Sequence, residues 1–119
     1  MQTATNQILS SGTMTGQNIV NTAGETLGKI EDVMLDIDNG RIAYVVLSFG
    51  GFMGIGDKLF AVPMSALTPN AKKEHFEMDV TKERLDNAPG FDKNNWPTSP
   101  DRDFMNSVYT HYSAKPYWT

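Results

Sequence analysis

The sequence predicts an all-β fold, a small antiparallel β-barrel of about six short strands with a short C-terminal helix. Segments rich in β-branched and aromatic residues recur along the chain, and turn residues separate them at intervals of about eight to twelve residues. Strands do not alternate with long helical segments, so a parallel α/β sheet is not expected. The length of 119 residues suits one domain with a single core.

Composition and charge narrow the classes of function. The chain has no cysteine, which excludes disulfides, thiolate nucleophiles and Cys-ligated zinc. Its net charge is −4 and its pI is about 5.0, whereas duplex-binding proteins carry a basic face, so no nucleic-acid partner is expected. The longest apolar run, residues 42–47, is far shorter than the roughly 20 residues of a spanning helix. With no signal-peptide pattern at the N-terminus, we expect a cytoplasmic protein that reaches membranes only through a partner.

The first part of the chain is predicted to hold a leader and three β-prone segments. Residues 1–7 are polar and without hydrophobic periodicity, which is typical of a flexible leader. Short β-prone segments follow at residues 19–20, 26–27 and 29–37. Asparagine and glycine at residues 21–24 predict a turn between the first two.

A hairpin is the clearest element of the sequence. Asn39-Gly40 lies between β-prone segments at 33–37 and 42–49, which predicts a two-residue type I′ turn because both residues tolerate positive φ. The second segment is apolar at almost every position. Such a run is typical of a strand that is buried on both faces, or that lies in the centre of a closed barrel.

A glycine-rich segment follows at residues 49–57, where four glycines exclude a regular helix. A phosphate-binding loop is disfavoured, because Asp57 and then a strand follow the glycines in place of a lysine and a helix. We therefore predict a hairpin loop whose return strand, residues 58–62, ends at Pro63. Three apolar residues near the loop tip either fold back onto the barrel or form a contact patch: Phe52, Met53 and Ile55.

The remaining chain is predicted to hold a helical turn at 64–67, a turn at Pro69-Asn70, a strand at 75–80 and a short helix after Thr81, its N-cap. The barrel domain is assigned to residues 8–97 and an aromatic-rich C-terminal tail to residues 98–119. The tail aromatics either pack over an open end of the barrel or bind another chain, since Tyr and Trp are frequent in interface hot spots. Trp96 and Trp118 are the candidates in this part of the chain.

No catalytic, metal or cofactor site is predicted. His75 and His111 lie in different segments and have no ligand-like spacing to each other or to acidic residues. Residues 36–40 match the start of a calcium-binding loop, but Gly40 and Leu47 occupy its fifth and twelfth positions, where oxygen ligands are required. We expect a solvated turn there.

Several ordered motifs resemble the PRC-barrel domain family. They are Gly-Glu-Thr-Leu-Gly-Lys-Ile-Glu-Asp-Val at 24–33, Leu-Asp-Ile-Asp-Asn-Gly-Arg-Ile at 35–42, Ser-Phe-Gly-Gly-Phe-Met-Gly-Ile-Gly-Asp-Lys at 48–58 and Ala-Val-Pro at 61–63. The resemblance covers residues 8–97. It implies a small β-barrel like the cytoplasmic domain of the photosynthetic reaction-centre H subunit and the C-terminal domain of the ribosome maturation factor. It brings no shared catalytic residues.

The resulting hypothesis is a non-catalytic protein-interaction or scaffolding module that forms a homodimer or docks on a larger complex. The partner is not specified by the sequence, and no cofactor is expected. The alternative is a small-molecule-binding barrel, which requires a cavity with converging polar groups. The hypothesis predicts a contact surface formed by Phe52, Met53, Ile55, Trp96 and Trp118.

Overall fold

A computed structural model describes residues 8–48, 58–92, 96–97 and 102–118. The predicted leader (1–7) and the predicted glycine-rich loop (49–57) lie outside the described residues. The described elements are α1 (Ser11–Met14), β1 (Asn18–Val20), β2 (Thr26–Asp36), β3 (Arg41–Ser48), β4 (Lys58–Val62), a 3-10 turn (Met64–Ala66), β5 (Thr68–Asn70), β6 (His75–Glu77), α2 (Lys82–Asp86), β7 (Gly90–Asp92) and α3 (Arg102–His111).

The strands form one mixed sheet in the order β5-β6-β1-β2-β3-β4-β7. The predicted fold is confirmed as mostly β, but two of its details are wrong. β1 pairs with β6 in parallel, so the sheet is not purely antiparallel. In the described part of the chain the sheet has seven strands and not six, because the chain returns after α2 and adds β7 to β4. Within the described residues no pairing joins β5 to β7, so the ladder is open.

The hairpin of β2 and β3 contains two surplus residues, one on each strand. Ile30 pairs with Leu47 and Leu35 pairs with Ile42, but Glu31 and Ala43 have no partner in the register. Each is a β-bulge, in which two residues on one strand face one residue on the other. A bulge lets residues three apart share a face, which is how Ile30 and Val33 both reach the same core.

The turn of this hairpin differs from the prediction. Asp36 pairs with Arg41, so the loop has four residues, 37–40, and not two. Gly40 has φ of 63°, whereas Asn39 is not in the positive-φ region. The reason is the Asp36 carboxylate, which accepts hydrogen bonds from the backbone N–H and the side-chain amide of Asn39. Such an Asx-type contact favours a longer turn over the type I′ turn.

The far half of this hairpin extends past its neighbours in the sheet. β1 pairs with β2 only as far as Lys29, and β4 pairs with β3 only from Val45. Residues 31–44 are therefore a two-stranded ribbon within the described part of the chain. We call this ribbon the arm.

β3 is buried on both faces, as one of the two predicted alternatives stated. One side of the sheet holds the main core, to which β1, β2, β3, β4 and β6 contribute. The other side is covered by α3 and the residues after it. The main core includes Ile19, Leu27, Ile30, Val45, Leu47, Phe60, Val62, Phe76 and Leu85, and the second core includes Tyr44, Val46, Leu59, Ala61, Met105, Val108 and Tyr109.

Smaller elements confirm some predictions and correct others. Thr81 is the N-cap of α2, where its hydroxyl accepts the backbone N–H of Arg84 at 3.1 Å. The predicted turn at Pro69-Asn70 is wrong, because both residues lie in β5. Proline is tolerated there because β5 is an edge strand. The turn instead falls on residues 71–74, where Glu74 has φ of 54°.

Candidate interaction surface

The predicted contact residues fall into two groups. Phe52, Met53 and Ile55 lie outside the described residues. Trp96 and Trp118 are described, and both are half-buried against the second core. They therefore lie on the outer face of β3 and β4, and not over an open end of the barrel.

α3 covers this face with one apolar stripe. Met105, Val108 and Tyr109 are buried, and their spacing of three and four residues places them on the same side of a helix. They pack against Tyr44, Val46 and other side chains of the second core. The exposed side of the helix carries polar residues, so α3 has one apolar side, and that side packs on the sheet.

Aromatic contacts link the two tryptophans to this cover. The Trp118 ring lies edge-on to Tyr109, with ring centroids 4.8 Å apart, and the Arg102 guanidinium lies 4.8 Å from its centroid. Trp96 packs on Phe91 at 5.1 Å. Both tryptophans thus take part in packing within the chain, and only the remainder of each ring faces solvent.

Hydrogen bonds tie the tail to the arm at two points. The Tyr109 hydroxyl donates to the carbonyl of Ala43 at 2.8 Å, and the Tyr117 hydroxyl donates to the Asp36 carboxylate at 2.6 Å. Hydrogen bonds from Tyr117 and Asn39 lower the pKa of Asp36. Burial, and then the bond to Asp36, raise the pKa of Tyr117. The contact therefore pairs a carboxylate with a protonated phenol over most of the pH range.

A second connection joins the tail to α2. The Arg84 guanidinium donates to the His111 carbonyl, and His111 Nε2 donates to the Arg84 carbonyl at 2.8 Å. These bonds attach the C-terminal end of α3 and the residues after it to the arm and to α2.

The arm itself carries an apolar pair that the sequence did not reveal as a site. Leu35 is 59% exposed and Ile37 is 80% exposed. Their alternation with Val33 is typical of a core-facing strand, so the sequence pattern predicts strand structure for them and not a surface. The signal that separates them from the core is the length of β2, which exceeds that of its neighbours.

A shallow depression of about 280 Å³ lies at the other edge of the sheet, between α1 and the β5–β6 hairpin. Asn70 Nδ2 donates to Glu77 Oε2 at 3.0 Å, and His75 Nε2 contacts the same oxygen at 3.0 Å. These contacts lower the pKa of Glu77, with Asn70 the larger cause. The depression is lined by Leu9, Thr13, Gln17, Pro69, Asn70, Ala71, Glu74, His75 and Phe76.

In the described ranges, no helix is both long enough and apolar enough to cross a membrane. The same residues contain no group of three or more His, Cys, Asp or Glu side chains arranged to hold a metal ion.

Comparison with known proteins identifies the family. No curated protein matches the chain. The family model described as PRC-barrel domain matches residues 9–85, a span that includes β1 to β6 and most of α2. The match ends before β7 and α3, so the helix that covers the outer face lies beyond the matched span. Since the match covers more than half of the sequence, the chain belongs to the PRC-barrel domain family.

Proposed function

We propose that the chain is a non-catalytic protein-interaction module that docks on a partner protein through the arm. The observation that carries the proposal is the exposure of two apolar side chains on the arm: Leu35 near the end of β2 and Ile37 in the turn that follows. Burying one such side chain in an interface contributes about 1.5–3 kcal/mol. Two such side chains therefore supply part of the free energy of docking, and the cost of association is subtracted from it.

The arm is also held in place before any partner arrives. Asp36 lies between the two apolar residues, and its carboxylate accepts the Tyr117 hydroxyl from the tail. A surface that is already ordered loses less conformational entropy on binding. The tail therefore helps to hold the arm in the conformation that docks, while its own aromatic rings pack largely against other residues of the same chain.

Crosslinked pull-down from lysate tests the proposal, with soluble and membrane fractions kept separate. The bait is compared with a Leu35→Thr, Ile37→Thr variant, because threonine retains strand propensity and removes the apolar surface. The matched control is Ile8→Thr, which removes an apolar side chain that is 96% exposed elsewhere in the chain.

A specific protein captured by the wild type and the control, but not by the double variant, would support docking through the arm. Identical protein sets from all three baits would contradict it. If the captured protein is the chain itself, sedimentation of wild type and double variant shows whether the arm forms a homodimer. The proposal takes the module to be cytoplasmic and to reach membranes only through its partner, which the fractions also test.

The second candidate is binding of a small molecule in the depression beside β5 and β6. Its support is that Glu77 fixes Asn70 and His75 at the rim, next to the apolar Phe76 and Pro69. Its volume is at the lower limit of the range for ligand pockets, roughly 300 Å³, so only a fragment-sized molecule fits. A thermal-shift screen of metabolites tests this candidate. A stabilising compound should lose its effect in a His75→Ala variant, and a screen without any such compound would count against it.

A further inference from the structure

The arm has two backbone edges, because no strand lies beyond it on either side within the described residues. An unpaired edge offers N–H and C=O groups to which another strand can add. The apolar, β-prone sequence around Leu35 would favour such addition. The hydrogen bonds along each edge therefore decide what kind of partner the arm accepts.

The first edge is that of β2, and its direction follows from the register. The Ile30 N–H donates to the Gln17 carbonyl at 2.9 Å, and the Ile30 carbonyl accepts the Gly16 N–H at 2.8 Å. The backbone N–H and C=O of Ile30 therefore point away from β3. Outward-facing and inward-facing pairs alternate along an antiparallel ladder. Asp32 is the next paired residue, and its backbone groups point inward, toward β3. In the pair after it, Val33 with Val45, the backbone N–H and C=O groups therefore point outward, away from the partner strand.

The outward N–H of Val33 is already occupied. It donates to Oδ1 of the preceding residue, Asp32, at 2.8 Å. Asp32 is itself exposed, so its carboxylate lies at the edge without being needed for packing. A strand that approached this edge would meet a negative charge and would find the Val33 donor already paired.

The second edge is that of β3, and the tail occupies it. Tyr44 pairs with Met34 and its N–H points inward, toward β2, so the carbonyl of the preceding residue, Ala43, points outward. The Tyr109 hydroxyl donates to that carbonyl in a buried contact of 2.8 Å. On each edge of the arm, one outward-facing backbone group is thus already paired with a side chain: the Val33 N–H on β2 and the Ala43 carbonyl on β3.

From these two contacts we infer that Asp32 and Tyr109 close the edges of the arm to strand addition, so that the arm contacts its partner by side chains alone and does not pair with a second copy of itself. This inference deepens the proposed function, because it states the mode by which Leu35 and Ile37 are used. The partner must then offer a folded apolar surface, and not an extended peptide that adds to the sheet.

Asp32→Ala tests the inference, since it frees the Val33 N–H and removes the charge. Glu31→Ala is the matched control, because it removes the same charge from the adjacent exposed residue. Asp32→Asn keeps a side-chain oxygen that accepts the Val33 N–H. Analytical ultracentrifugation over a range of concentrations gives the mass of each variant, and circular dichroism verifies the fold.

The mass of Asp32→Ala is expected to rise to about twice that of the wild type or beyond, as strand pairing joins copies. Glu31→Ala and Asp32→Asn should match the wild type. A fluorescent peptide of residues 31–37 should bind Asp32→Ala and not the wild type, as measured by anisotropy. Asp32→Thr, with a residue that suits strands, provides a second variant and should behave like Asp32→Ala.

Equal masses for Asp32→Ala, Asp32→Thr and Glu31→Ala, together with no peptide binding, would overturn the inference. Its failure is distinguishable from failure of the proposed function. If the double variant at residues 35 and 37 keeps every partner while Asp32→Ala self-associates, the docking proposal fails and closure of the edge stands. If partner capture depends on these two residues but the mass of Asp32→Ala equals that of the wild type, the docking proposal stands and closure of the edge fails.

Discussion

The Tyr109 hydroxyl donates a 2.8 Å hydrogen bond to the carbonyl of Ala43, a residue 66 positions earlier in the chain. The contact joins the helix that covers the sheet to the bulge in β3. It is buried, so neither group has water as an alternative partner.

Tyr109→Phe should therefore destabilise the protein by about 1–3 kcal/mol, because the buried carbonyl loses its donor. Urea unfolding measures the change. Tyr112→Phe is the matched control in the same segment, since the Tyr112 hydroxyl is buried and has no hydrogen-bond partner among the described residues. That variant should be at least as stable as the wild type. Equal stability changes in both variants would mean that the hydrogen-bonded hydroxyl of Tyr109 contributes no more than the unpaired hydroxyl of Tyr112.

Asp36→Asn should weaken the attachment of the tail in a pH-dependent way. The folded protein lowers the pKa of Asp36 below its ordinary value of 3.8. A lowered carboxyl pKa stabilises the fold at pH values above the ordinary pKa, and this stabilisation is lost as pH falls through the lowered pKa. Thermal unfolding should show a lower melting temperature for Asp36→Asn than for the wild type near neutral pH, and this gap in melting temperature should close in strong acid.

Asp38→Asn is the control for this experiment, because it removes the same charge from an exposed residue two positions away. In a Tyr117→Phe background the Asp36→Asn gap should shrink, since the donor to the carboxylate is absent. A gap of unchanged size in that background would show that the Tyr117 contact is not its source.

Met105→Ala should destabilise the protein by about 2–5 kcal/mol, because it leaves a cavity between α3 and the sheet. Met105 is 5% exposed, whereas the next residue, Asn106, is exposed and provides the control. Asn106→Ala should stay within about 0.5 kcal/mol of the wild type. Urea unfolding followed by tryptophan fluorescence measures both variants. A Met105→Ala variant as stable as Asn106→Ala would show that α3 contributes little to folding.

Gly40→Ala should cost about 1 kcal/mol, because φ at this position is 63° and a side chain is strained there. The cost is one of backbone conformation alone, since nothing lies within 4 Å of the position that a Cβ would take. Gly12→Ala is the control in α1, where φ is not positive, and it should leave stability unchanged or slightly raised. Thermal unfolding of both variants distinguishes them, and an unaffected Gly40→Ala would contradict the assigned turn.

Local sequence pattern was sufficient for much of the sheet. The apolar run of β3 predicts burial on both faces, and glycine and proline place the ends of β4 correctly. The parallel pairing of β1 with β6 was not predictable in this way, because it joins segments more than 50 residues apart. The same holds for the position of the tail. Aromatic residues indicate that a segment is buried, but not which surface buries it.

The candidate site was harder to predict than the fold. Leu35 and Ile37 continue the apolar alternation of a core strand. They are exposed because the neighbouring strand β1 ends before it reaches them. The Asn39-Gly40 pair suggested a tight turn, but the Asp36 side chain stabilises a longer one. In both cases the deciding contact is non-local or comes from a side chain whose conformation the sequence does not specify.

The two surplus residues of the arm also bear on how this chain tolerates changes in length. Because neither Glu31 nor Ala43 has a partner in the register, loss of either one leaves every remaining pair of the hairpin aligned. Loss of Glu31 removes only an exposed side chain and a local bend. Loss of Ala43 also removes the acceptor of the Tyr109 hydroxyl. We therefore expect natural relatives to vary in length at the first bulge and to retain the second wherever they retain the covering helix.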